Sequence, residues 1–98
     1  MAAEEFGLLG TGAAKRLILS ILEAGTTVFS GHALDEIRKD KLTTVDCTNV
    51  LRSGVVEPGE LEGGSWRYRV KTNRMCVVVA FRSEMELVVV TAWRIRQR

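Results

Sequence analysis

Three cations, Arg67, Arg69 and Lys71, occupy alternate positions of the stretch SWRYRVKT, with Trp66, Tyr68 and Val70 between them. Alternate side chains of a strand point to opposite faces, so this stretch carries a cationic row on one side and a bulky apolar row on the other. The planar fork of arginine matches the oxygens of a phosphate, which makes such a row suited to a phosphodiester chain. Arg82, Arg94 and Arg96 fall at equivalent phases of two later apolar stretches and extend the set. None of these arginines can move a proton at neutral pH. Two other residues can: His32, the one histidine, whose ordinary pKa of about 6.5 suits acid–base work, and Tyr68, the one tyrosine. Plainer roles stand beside each of these. His32 also fits a helix-start residue bonded to backbone, Tyr68 shares the phase of Trp66 and fits the core, and a row of cations also serves simply to keep a strand solvated.

The rest of the chain must position these groups. Its 98 residues, 46% hydrophobic, form one domain with a single core. The longest apolar runs, 75–81 and 87–93, are far short of the roughly 20 residues of a membrane helix. The opening MAAEEFGLLGTG has acids where an export signal has cations, so a cytoplasmic protein without membrane attachment is expected. Cys47 and Cys76 lack the spacing of a metal site and read as free thiols, so neither metal nor cofactor is expected. Charge is divided along the chain: residues 1–64 hold six Lys or Arg against ten Asp or Glu, residues 65–98 eight against two. That asymmetry points to an anionic partner for the last third.

Residues 1–12 read as a flexible segment. Apolar residues at Leu17, Ile18, Ile21 and Leu22 predict a first helix over 13–24, stopped by Gly25. Ser30 caps a second helix through GHALDEIRKD, and Thr43 or Thr44 caps a third through VDCTNVLRS, closed by Gly54. The period then changes to two. A short strand in VVEPGELEGG precedes three strands, SWRYRVKT, MCVVVAFR and LVVVTAWRIR, whose short links require antiparallel hairpins. The expected fold is therefore α+β, with three N-terminal helices on one face of a three- to four-stranded antiparallel sheet.

Strand phase places Trp66, Tyr68, Val70, Val77, Val79, Phe81, Val89 and Trp93 on the face toward the helices. It places Val78, Ala80, Val88 and Val90 on the other, as an apolar floor rimmed by Arg67, Arg69, Lys71, Arg82, Arg94 and Arg96, open to a nucleotide chain or to a second copy of the protein. Trp93 reads as core rather than as a platform for a base. A slip of one residue would reverse any of these faces.

The segment FSGHALDEIRKDKLTTVDCTNVLRSGVV, with WRYRV, VVVAFR and LVVVTAWR after it, resembles the bacterial family called domain of unknown function 4258, over about residues 15–95. The His32-Ala33 pair at a helix start and the helix-to-strand exit at Val45 to Val56 carry the likeness. More distantly, the order of elements is similar to that of the motility quorum-sensing regulator toxin, of the RelE-like kind. That resemblance implies a type II toxin: an endoribonuclease that cleaves messenger RNA without metal by activating the 2′-OH, and that a cognate antitoxin silences. In it, His32, Tyr68, Arg82 and Arg94 would be catalytic, and Arg67, Arg69, Lys71 and Arg96 would bind RNA. A catalytically silent RNA- or protein-binding module of the same fold is the alternative.

Overall fold

The computed structural model describes residues 7 to 96. Half of the segment expected to be flexible, residues 1–6, lies outside the described residues; Leu9 packs against the core and its N–H donates to the Tyr68 hydroxyl at 2.9 Å.

The three helices form where local chemistry puts them. Helix α1, Thr11–Ala24, buries Ala14, Ile18 and Ile21, one stripe at helical spacing. Helix α2, Gly31–Lys39, starts at Ser30, whose Oγ accepts from the Ala33 N–H at 3.0 Å. Helix α3, Thr44–Ser53, opens with a reciprocal cap in which Thr43 Oγ1 accepts from the Asp46 N–H and Asp46 returns the bond to the Thr43 N–H.

The arrangement of helices and strands differs from expectation. A strand, β1 (Thr26–Phe29), intervenes between α1 and α2 and pairs in parallel with the last strand, β6 (Glu86–Arg94). With β2 (Val55–Val56), β3 (Glu60–Glu62), β4 (Ser65–Lys71) and β5 (Met75–Ser83), the sheet is mixed and six-stranded, in the order β1-β6-β5-β4-β2 with β3 also on β4. The three- to four-stranded antiparallel sheet with all helices ahead of it, and with it the RelE-like packing, is thereby corrected. Four residues, TTVF, carry too little periodicity to announce a strand, and their partner lies some 60 residues downstream. Gly25 stops the helix as expected, and close approach is what requires a glycine: its φ is −112°, and a Cβ there would collide with the Met85 carbonyl, which accepts the Thr26 N–H at 2.7 Å.

The core lies between the inner sheet face and the helices, where Ile18, Ile21, Leu51, Tyr68, Val70, Val77, Val79, Leu87 and Val89 are almost wholly buried. Helix α2 stands beside β6, past the end of β1. Ser30 Oγ donates to the Val90 carbonyl and the Asp40 carboxylate accepts from the Arg94 N–H, so the two ends of α2 occupy edge groups of β6 that no strand pairs. Among the described residues no helix is long and apolar enough to cross a membrane.

One irregularity decides the site. Val79 pairs with Val89, yet Val78 pairs with Thr91, so Val90 is an extra residue that reverses the phase of the rest of β6. Ala92 therefore turns inward, opposite Val77, and Trp93 outward, opposite Cys76. The expectation that Trp93 packs in the core is corrected on this ground.

Candidate functional site

On the sheet face away from α1 and α3, a cleft of about 280 Å³ is lined by His32, Glu60, Glu62, Arg67, Arg69, Val78, Val90, Thr91 and Trp93. Three local devices assemble it. The Ser30 cap fixes the first turn of α2 against the Val90 bulge, which leaves the exposed His32 at the rim. The bulge itself brings Thr91 and Trp93 to the floor. A two-residue turn, Gly63-Gly64, with φ of 59° and 84°, folds β3 back on β4. Both positive angles suit glycine and match the twist of a tight hairpin.

That hairpin sets Glu60 opposite Arg67 and Glu62 opposite Ser65, so the carboxylates of β3 share a face with the cations of β4. Arg67 bonds Glu62 at 3.4 Å, Arg69 lies 3.8 Å from Glu60, and Lys71 lies 3.2 Å from Glu57. The cationic row is thus one side of a ladder of ion pairs. Neither arginine is saturated: the Arg69 contact exceeds hydrogen-bond length, and Arg67 Nε is buried with no partner. The partly exposed terminal nitrogens of Arg69 and Arg67 therefore keep donors at the wall of the cleft, whereas the buried Arg67 Nε is closed to solvent.

The sequence-predicted residues divide. His32, Arg67 and Arg69 converge on the cleft. Lys71 lies further along β4, held by Glu57. Tyr68 is buried, its ring 5.5 Å from that of Phe81 and its hydroxyl taken up by Leu9, so it stands on the opposite face from the cleft. Arg82 pairs with Glu86 beside the β5–β6 turn. Arg94, inverted by the bulge, and Arg96 both hold Asp40: the Arg94 guanidinium donates to the Asp40 carbonyl at 3.1 Å and Arg96 to its carboxylate at 3.3 Å. These two tie down the end of α2, where cations are favoured. Glu60, Glu62 and Thr91 went unrecognised in the sequence, although ELEGGSWRYR carries the hairpin signal, a Gly-Gly pair with acids before it and bases after it.

Cys76, opposite Trp93, is fully buried; burial, opposed by Lys71 and Arg69, pushes its thiol up to about 11. It is therefore a protonated packing group. Among the described residues no group of three or more His, Cys, Asp or Glu is placed to hold a metal ion. Compared with protein-family models, curated proteins and solved structures, the chain matches none.

Proposed function

We propose that the cleft binds the backbone of RNA and cleaves it by attack of the 2′-OH on the adjacent phosphate. Arg67 and Arg69 hold the phosphate and the charge that develops on it. Glu60 or Glu62 takes the 2′-OH proton as the 2′-O–P bond forms, and the His32 imidazolium gives a proton to the 5′-oxygen as the P–O5′ bond breaks, leaving a 2′,3′-cyclic phosphate and a 5′-hydroxyl. The observation that carries this reading is the convergence of the only histidine with Arg67 and Arg69 on one cleft. Where such cleavage halts growth, the chain is a toxin, with an antitoxin protein as its partner.

The ion pairs that Glu60 and Glu62 already make favour a second reading, a binding module that grips RNA without cutting it. End-labelled RNA incubated with the chain in a chelating buffer separates the two. Cyclic-phosphate ends that vanish with His32→Ala, together with growth arrest on expression, support the nuclease. Binding without cleavage or arrest selects the module, and absence of binding overturns both.

A further inference from the structure

We infer that Trp93 is a stacking platform for one unpaired base, so that the cleft selects single-stranded RNA over duplex. This rests on the proposed RNA reading and names the substrate class. Among the described residues Trp93 is the one Trp, Tyr or Phe lining the cleft, and it reaches it only because the Val90 bulge reverses the end of β6. Trp66, Phe81 and Phe29 pack against the core on the other side. Trp93 is half-buried and shares the lining of the cleft with Arg67 and Arg69, two residues along β6 from Thr91, which lies in line with Val78 and Arg69.

The chemistry of the lining divides as a nucleotide does. Arg67 and Arg69, with donors to spare, suit the phosphate; Trp93 with Val78 and Val90 suits the flat apolar base; and the Thr91 hydroxyl can donate to or accept from ribose or a base edge. A volume of about 280 Å³ is at the low end of small-molecule sites, enough for one nucleotide and far too small for a helix. A base held in a duplex is already stacked on both sides and cannot offer its face to the indole.

The test is a fluorescence titration of the full chain with a short single-stranded RNA, the same RNA annealed to its complement, and an abasic ribose-phosphate oligomer of equal length. A Trp66→Phe background isolates the Trp93 signal. The single strand should quench Trp93 and bind roughly 5- to 150-fold tighter than the abasic oligomer, the range that loss of one base–aromatic stack spans. Trp93→Leu should bind both at the abasic level, while Trp93→Phe keeps part of the preference. If Trp93→Leu fails to fold, the quenching and the abasic comparison in the Trp66→Phe chain decide alone. Equal binding of RNA and abasic oligomer, or of duplex and single strand, overturns the stacking role while leaving the arginine–phosphate reading intact. Binding of neither oligomer overturns both.

Discussion

Replacing Glu60 and Glu62 together by glutamine should make the chain bind RNA more tightly while hardly changing its stability. The two carboxylates lie 3.8 and 3.4 Å from Arg69 and Arg67, and their side chains are 68% and 70% exposed. Ion pairs so exposed contribute about 0–1 kcal/mol each, so a drop in Tm of no more than a few degrees is expected. Binding responds differently. A phosphate arriving at either guanidinium comes within several ångströms of a carboxylate, and two like charges about 4 Å apart in water repel by roughly 1 kcal/mol. Removing both carboxylates should therefore tighten binding about 10- to 30-fold, at about 1.4 kcal/mol per factor of ten. Fluorescence anisotropy at several salt concentrations reads this directly, and the gain should shrink as salt screens the repulsion. Cleavage gives a second readout: if one of the two is the base, single-turnover cleavage falls even though affinity rises. An unchanged or weakened affinity at every salt concentration would refute the reasoning, because Arg67 and Arg69 would then not be where the phosphate binds.

Lys15 Nζ donates to the carbonyls of Leu51, Arg52 and Gly54 at 3.0, 2.9 and 2.7 Å, closing the C-terminal end of α3, while partial burial lowers its pKa. Lys15→Met should cost about 2 kcal/mol in a urea melt, the charged hydrogen bonds being partly offset by regained solvation of the carbonyls. Ser30→Ala removes both the cap of α2 and the bond to the Val90 carbonyl, so about 1–3 kcal/mol should be lost, with weaker RNA binding as His32 and the bulge shift. Burial pushes the thiols of Cys47 and Cys76 up to about 11, above their unfolded value of 9.0; a raised acid pKa means stability intact below pH 9 and lost as pH rises toward 11. Denaturant midpoints across that window should fall, by less in a Cys47→Ala, Cys76→Ala chain, and neither thiol should react with a thiol reagent until the native chain unfolds.

What the sequence determined alone is what neighbours within a turn or a strand decide. The caps at Ser30 and at Thr43 with Asp46 satisfy backbone groups three residues away, and the apolar phases of β4 and β5 follow from alternation that each strand carries in itself. The Gly63-Gly64 pair carries a local hairpin signal of the same kind, but the segment read only as a short strand and a connection, and it is the structure that shows the turn placing Glu60 beside the cations. Dividing the charges at residue 64 hid this, because the hairpin folds the end of the acidic segment onto the start of the basic one. Tertiary structure decided the rest. β1 is a strand because β6 supplies its hydrogen bonds, and TTVF contains nothing that names so distant a partner. The carbonyl of the bulged Val90 is taken up by Ser30, 60 positions earlier, and that one extra residue turns Trp93 into the cleft and Arg94 onto Asp40. Alternation gives a strand its two faces, but which face is inward past a bulge depends on whether a remote side chain stabilises the irregularity, and that information is not contained in the strand.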